Sequence, residues 1–166
     1  FSNLKIDQYL SENKENNNSK DYLQSVLSKE DLEFNDPLVK LAMNNSLVNY
    51  ASNYLGMIPI IGQIQLWYSP NNSKADEGSQ FFHLDYADVS QFKVFIFVDD
   101  IDENTGPLTF ISALNSEKIV RKINYKLSNE EIRVPDEIIL DEVHSDDWVK
   151  GVGSKGQILC VDTCKC

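Results

Sequence analysis

The sequence predicts a mainly β protein in which an N-terminal helical layer covers an antiparallel sheet or barrel. Apolar residues recur at helical spacing up to Gly56, and beyond it the apolar pattern changes to a period of two. Short apolar segments then alternate with turn-rich ones, which is typical of antiparallel β structure. The 166 residues suffice for a single domain. We therefore expect one domain over residues 1–166, with a helical region at 1–56 and strands at 57–166.

Two helices are predicted in the N-terminal region. Residues 20–29 carry apolar side chains at helical spacing, which predicts a short amphipathic helix. A longer helix is expected to begin with Asp36 as N-cap and Pro37 at the first helical position. It should end at Gly56, because glycine readily adopts the left-handed conformation that follows a helix. The asparagines at 44–45 are expected to kink or split it.

Strands are predicted in the remainder of the chain. Residues 92–98 form the most apolar segment and give the strongest strand signal. The other predicted strands are residues 58–69, 79–85, 107–112 and 157–162. Residues 115–150 are more polar, and we interpret them as an insertion between strands, with strand character at 137–140.

The charge of the chain argues against several classes of partner. The 26 acidic residues outnumber the 15 basic ones, so the net charge is −11. That charge repels phosphate backbones, and a nucleic-acid partner is not expected. No apolar run approaches the roughly 18 residues of a membrane span, so a membrane is not expected as a partner either.

The three cysteines lie within the last seven residues, at Cys160, Cys164 and Cys166. An odd, clustered set is unlike the disulfide framework of a secreted domain, which favours a reducing, cytoplasmic location. The spacing lacks the paired C-x₂-C pattern of zinc sites. We expect the three side chains to pack on one face of a strand rather than to bind a metal.

His83 and Asp85 are the candidate metal ligands. Side chains at positions i and i+2 of a strand share a face, so an imidazole and a carboxylate are expected to project side by side. Together they supply two of the three ligands in the 2-His-1-carboxylate triad of non-haem Fe(II) oxygenases. On spacing alone, a hydrogen-bonded structural His–Asp pair is the more frequent outcome.

Four segments in combination resemble the phytanoyl-CoA dioxygenase family. They read Gln65-Leu66-Trp67-Tyr68-Ser69-Pro70, Gln80-Phe81-Phe82-His83-Leu84-Asp85, Lys93-Val94-Phe95-Ile96-Phe97-Val98-Asp99-Asp100 and Glu103-Asn104-Thr105-Gly106-Pro107-Leu108. Members of that family are Fe(II)- and 2-oxoglutarate-dependent oxygenases with a double-stranded β-helix, also called a jelly roll. The resemblance spans about residues 36–112 and resumes weakly at 151–166.

The resemblance implies roles for particular residues. His83 and Asp85 would bind Fe(II), and Gln65, Tyr68 and Phe95 would line the 2-oxoglutarate site. A carboxylate at position 85 indicates a hydroxylase, because related halogenases have a small residue there. For Tyr68 and Phe95, ordinary strand packing is an equally good interpretation.

The family's third iron ligand is a distal histidine, and an arginine further along binds the far carboxylate of 2-oxoglutarate. Residues 156–163 resemble the strand that leads to that histidine. The resemblance therefore implies that both residues follow Cys166. We expect the chain to be a piece of a longer protein, with a jelly roll incomplete at its C-terminus, and to be inactive by itself. His144 lies in a polar acidic stretch, and we interpret it as a loop histidine.

These observations lead us to expect an Fe(II)- and 2-oxoglutarate-dependent dioxygenase. It would use O₂ to hydroxylate a small organic molecule that the sequence does not identify. The alternative is a non-catalytic jelly-roll module that binds a ligand such as a sugar, with His83 and Asp85 as a structural pair.

Overall fold

The computed structural model describes residues 23–27, 32–70, 80–85, 89–125 and 133–166. The chain divides into two compact units, Phe1–Lys74 and Ala75–Cys166. Within the described residues, both helices and short antiparallel strand pairs are present, so the fold is a mixed α and β one. In this part of the chain, no helix combines the length and the apolar character needed to cross a membrane.

The first helix of the first unit, α1, spans Pro37–Ala42 and begins where the sequence predicts. The carboxylate of Asp36 accepts a hydrogen bond from the backbone N–H of Leu38 at 2.7 Å. This bond satisfies one of the N–H groups that a helix leaves unpaired at its start. Proline at the first helical position loses nothing, because its missing N–H would have no partner inside the helix.

A second helix, α2, spans Asn45–Leu55 and is separated from α1 at Asn44. The side chain of Asn44 accepts a hydrogen bond from the N–H of Ser46 at 2.9 Å, so Asn44 is the N-cap of α2. The predicted split of the long helix is thereby confirmed. Gly56 ends α2 with a φ of +71°, a conformation in which a side chain would be strained.

The first unit also contains one pair of short strands among its described residues. Strand β1, Gln24–Ser25, pairs antiparallel with β2, Trp67–Tyr68. The helix predicted at residues 20–29 is therefore wrong at 24–25, and the remainder of that prediction is either non-helical or lies outside the described residues. The strand predicted at 58–69 is reduced to β2, because residues 58–66 have no regular structure.

In the part of the second unit that the structure describes, the strands form two antiparallel pairs. Strand β3, Lys93–Ile96, pairs with β6, Ile158–Val161, in a register that sets Lys93 opposite Val161. Strand β4, Thr109–Phe110, pairs with β5, Val149–Lys150. The strands predicted at 92–98, 107–112 and 157–162 are thus confirmed, each in a shorter form. The strand predicted at 79–85 is present only as a single bridge between Phe82 and Val134, and residue 79 lies outside the described residues.

Among the described residues between β4 and β5, there are two α-helices and a 3₁₀ turn. Helix α3 spans Ala113–Lys122, α4 spans Asp136–Leu140, and the 3₁₀ turn spans Ser145–Asp147. The strand character predicted at residues 137–140 is wrong. Asp136 and Glu137 occupy the first turn of α4, where negative charge is stabilised by the helix dipole, and this local effect favours helix over strand.

The hydrophobic core of the second unit is formed by Ile111, Ile119, Val134, Ile139 and Val143. Four of these five residues come from the stretch that the sequence analysis interprets as a polar insertion. The ring of Trp148 packs edge-on against Phe82, with ring centroids 5.0 Å apart. Phe82, directly before His83, is therefore packed against this core.

Truncating one core side chain should measure how much the packing stabilises the fold. Ile139 is 2% exposed, and Ile139→Ala should lower the free energy of unfolding by about 3 kcal/mol through lost burial and a residual cavity. The matched change at its neighbour, Leu140→Ala, should cost about 0.5 kcal/mol or less, because Leu140 is 49% exposed. Urea denaturation followed by circular dichroism checks both values. Equal losses for the two variants would contradict this core.

Candidate functional site

The imidazole of His83 is fixed by the backbone directly before it. Its Nδ1 lies 2.7 Å from the carbonyl oxygen of Phe81. A carbonyl oxygen can only accept a hydrogen bond, so Nδ1 carries the proton and Nε2 holds the free lone pair. Nε2 lies 4.0 Å from Oδ1 of Asp85. The basic nitrogen and a carboxylate oxygen therefore face the same space, as the spacing predicts.

Asp85 is held by the chain that follows β6. Its backbone N–H donates to the carbonyl oxygen of Thr163 at 2.9 Å. The carboxylate oxygen Oδ2 accepts hydrogen bonds from the Thr163 hydroxyl and from the Lys93 ammonium group. The two carboxylate oxygens thus have different surroundings, since Oδ2 is bound by these two donors and Oδ1 faces His83.

The surroundings favour a neutral imidazole beside an ionised carboxylate. Burial, together with the charges of Arg133 and Lys93, lowers the pKa of His83 below its ordinary value. For Asp85 the largest effect, burial, would raise the pKa. The hydrogen bonds from Lys93 and Thr163 and the nearby positive charges outweigh it, so the pKa of Asp85 is lowered. Neutral imidazole and ionised carboxylate are the forms that bind metal ions.

Phe95 lies close to this site through the geometry of β3. Residues i and i+2 of a strand share a face, so Phe95 is on the face from which Lys93 reaches Asp85. Phe95 pairs with Leu159 in the register with β6 and is half-buried. Its predicted contact with 2-oxoglutarate stays a prediction.

Gln65 and Tyr68 belong to the first unit. The side-chain oxygen of Gln65 accepts a hydrogen bond from the indole N–H of Trp67 at 3.2 Å. Tyr68 is 38% exposed in β2. The structure gives each side chain an ordinary strand or loop environment, and the role of both in cosubstrate binding stays a prediction.

Asp162 is a structural residue of the site that the sequence analysis does not single out. It is 9% exposed, and its carboxylate holds together the turn after β6 and the loop before β3. The donors are the Ser90 hydroxyl at 2.6 Å, the backbone N–H groups of Gln91 and Cys164 at 3.1 and 3.0 Å, and the Lys165 ammonium at 3.3 Å. An aspartate directly after an apolar strand is a frequent turn residue, which is the signal that could have identified it.

The described residues supply two close donors for a metal rather than three. Among them, no group of three or more His, Cys, Asp or Glu side chains is placed to hold a metal ion. His144 has a 74% exposed side chain and accepts a hydrogen bond from the N–H of Asp146 at 3.3 Å. It caps the 3₁₀ turn on the surface, in agreement with its interpretation as a loop histidine.

The cysteines do not share one face. Strand β6 ends at Val161 and residues 163–165 form a turn, so the alternation of side chains does not continue through the cysteines. Cys160 is exposed, Cys164 is buried and Cys166 is half-buried, and none of the three forms a disulfide. The predicted packing on a common face is therefore wrong.

Comparison with protein-family models, with curated proteins and with solved structures finds no match for this chain. Function is therefore inferred from the residues of the site.

The ammonium group of Lys93 should control the ionisation of Asp85. Replacing it in Lys93→Met removes a hydrogen bond and a positive charge, leaving burial as the larger influence. The pKa of Asp85 should then rise, as measured by carboxyl ¹³C NMR. Lys150→Met is the matched control, because Lys150 pairs with the distant Glu103 at 2.9 Å. A pKa of Asp85 that responds equally to both changes would contradict the Lys93 contact.

Acidification should destabilise the protein through His83. Because folding lowers its pKa, the unfolded chain binds the proton more readily, so stability is lost as the pH falls from about 6.5 toward the folded pKa. The lowered pKa of Asp85 also makes the protein less stable as the pH falls, but only below the ordinary pKa of 3.8. Urea denaturation between pH 7 and pH 5 should show a shallower loss in His83→Ala than in His144→Ala. Identical pH dependences would mean that His83 is not buried as described.

Proposed function

We propose that the chain carries the first two metal ligands of an Fe(II)- and 2-oxoglutarate-dependent oxygenase of the phytanoyl-CoA dioxygenase type. The observation that supports this most strongly is the pairing of the free Nε2 of His83 with Oδ1 of Asp85, 4.0 Å away. Both groups are about one-quarter exposed, so a metal ion could reach them while most of the surrounding water is excluded. In the proposed enzyme the substrate is a small organic molecule and the product is its hydroxylated form.

The arrangement around the two donors fits a metal site. A metal-binding imidazole usually donates its other N–H to a carbonyl or a carboxylate, which fixes the ring and its tautomer. The bond from His83 to Phe81 provides this. The ligating carboxylate is usually hydrogen-bonded as well, and Thr163 and Lys93 bind the oxygen of Asp85 that faces away from His83. The proposal places the third donor outside the described residues.

Each residue of the site has a role that does not depend on the detailed chemistry. His83 and Asp85 would hold Fe(II), which supplies O₂ activation coupled to decarboxylation of 2-oxoglutarate. Thr163 and Lys93 orient the carboxylate and keep it ionised. Phe95 would contribute an apolar wall beside the cosubstrate. The roles of Gln65 and Tyr68, which belong to the first unit, stay predictions.

The jelly roll is part of the proposal. The antiparallel pairing of β3 with β6 joins residues more than 60 positions apart in the chain, as the crossing connections of that fold require. The bridge between Ile101 and Gly153 extends the same long-range pairing. Such pairing supports a closed antiparallel architecture, of which the helices are additional elements.

One observation favours a second candidate function. Oδ2 of Asp85 is already bound by an ammonium group and a hydroxyl, and Lys93 could neutralise the carboxylate without any metal. In that case His83 and Asp85 form a structural pair within a non-catalytic ligand-binding module. The two candidates differ in whether the pair binds a divalent metal.

Metal affinity should depend on both donors. Fe(II) titration under anaerobic conditions should show weak binding to the 166-residue chain, because two protein donors leave most positions to water. His83→Ala and Asp85→Ala should each lower the affinity about tenfold or more. His144→Ala is the matched control and should have no effect, since it removes the only other histidine.

Turnover of 2-oxoglutarate should also depend on His83 and be independent of His144. A chain that also carries the histidine and arginine expected after Cys166 should release succinate from 2-oxoglutarate, and the 166-residue chain should not. His83→Ala in the longer chain should abolish release, and His144→Ala should retain it. Retention of both turnover and metal affinity in His83→Ala would rule out the iron assignment and leave the structural pair.

A further inference from the structure

An arginine lies beside the candidate site, on the segment that pairs with the residues around His83. Phe82 and Val134 form an antiparallel bridge, in which the N–H of Val134 donates to the carbonyl oxygen of Phe82 at 2.8 Å. In antiparallel pairing, the residue after one member lies opposite the residue before the other. Arg133 is therefore the neighbour of His83 across this bridge.

The side chains of Arg133 and His83 share one face of the bridge. Residues directly opposite each other point to the same side, and the sides alternate along each chain. Val134 belongs to the hydrophobic core and Phe82 packs against it, so these two define one face. The electrostatics agree with a short separation on the other face. Burial is the largest cause of the lowered pKa of His83, and the positive charge of Arg133 acts in the same direction.

The charges around His83 are mainly positive, although the chain as a whole is acidic. Among the described residues, the charged side chains that act on the imidazole are Asp85, Lys93 and Arg133. One of them is negative and two are positive, whereas the net charge of the chain is −11. A local excess of positive charge in an acidic protein favours an anionic ligand at that place.

The guanidinium of Arg133 has a buried donor that such a ligand can use. Its Nη1 is buried and makes no hydrogen bond within the part of the chain that the structure describes. Arg133 also takes part in other interactions, and the five N–H donors of its rigid fork allow one guanidinium to serve more than one acceptor. A buried donor is normally hydrogen-bonded, and a carboxylate oxygen would supply the acceptor.

We propose that Arg133 binds the carboxylate of a small organic acid next to His83 and Asp85. This carboxylate belongs either to the organic substrate or to 2-oxoglutarate, and the experiment separates the two sources. A divalent metal at the His–Asp pair would add two positive charges beside Lys93 and Arg133, which increases the need for an anionic ligand. That last step rests on the proposed function, whereas carboxylate binding by Arg133 does not.

Three probes test the proposal, namely propionate, propionamide and 2-oxoglutarate. Each is titrated into the metal-free 166-residue chain at low ionic strength, where electrostatic attraction is least screened. Binding is followed by shifts of the backbone amides of residues 82–84 and 133–134 in ¹H–¹⁵N NMR spectra. Propionate should bind about tenfold more tightly than propionamide, which has nearly the same shape but no charge.

Two variants and a control locate the binding. Arg133→Gln should weaken propionate binding about tenfold and leave propionamide binding unchanged. Arg133→Lys should recover part of the affinity, because lysine keeps the charge but lacks the fork. Arg121→Gln is the matched control and should change nothing, since Arg121 is the only other arginine and its side chain is 77% exposed. The amide spectra report whether each variant is folded.

Competition between the probes identifies the source of the carboxylate. If 2-oxoglutarate displaces propionate and itself binds more weakly to Arg133→Gln, the residue serves the cosubstrate. If 2-oxoglutarate leaves propionate in place, the residue serves the substrate. Both results support a carboxylate site at Arg133.

The results also separate this inference from the proposed function. Propionate shifts that are absent, that equal those of propionamide, or that persist unchanged in Arg133→Gln would overturn the carboxylate site. Fe(II) affinity that proves independent of His83 would remove only the proposed function, because these titrations contain no metal.

Discussion

The candidate site depends on the link between Asp85 and Thr163. One hydrogen bond joins their backbones at 2.9 Å, and a second joins the threonine hydroxyl to the carboxylate. Thr163 follows β6, whose register with β3 sets Lys93 opposite Val161. The same two strands therefore place the ammonium group and the hydroxyl on one carboxylate oxygen. Asp162 stabilises this arrangement from within the fold, because its buried carboxylate accepts hydrogen bonds both from the turn after β6 and from the loop before β3.

Local signals in the sequence predict the helices of the first unit well. Asp36, Asn44 and Gly56 act within their own turns, so their effects can be inferred without knowledge of the rest of the fold. The helix predicted at 20–29 fails at Gln24 because pairing with Tyr68, a distant partner, overrides a weak local periodicity. The strand prediction at residues 137–140 is wrong for a different reason. The apolar content of these residues indicates burial but does not distinguish a strand from a helix.

Prediction of the candidate site from the sequence has the same limit, because local patterns do not reveal distant partners. The spacing of His83 and Asp85 predicts that their side chains lie close together, and the structure places Nε2 of His83 4.0 Å from Oδ1 of Asp85 although residues 83–85 do not form a strand. The contributions of Lys93, Thr163 and Asp162 could not be predicted, because they depend on a register between strands more than 60 residues apart.

Paramagnetic broadening by Mn²⁺ tests the metal site most directly. Mn²⁺ prefers the same oxygen and nitrogen donors as Fe(II) and broadens the NMR signals of nearby nuclei. At substoichiometric Mn²⁺, the account predicts that the amides of residues 83–85 and of Thr163 broaden first, and that Asp85→Asn removes this effect. The acidic segment at residues 99–103 is the internal comparison. Broadening that begins there, and is unchanged in Asp85→Asn, would contradict a metal site at His83 and Asp85.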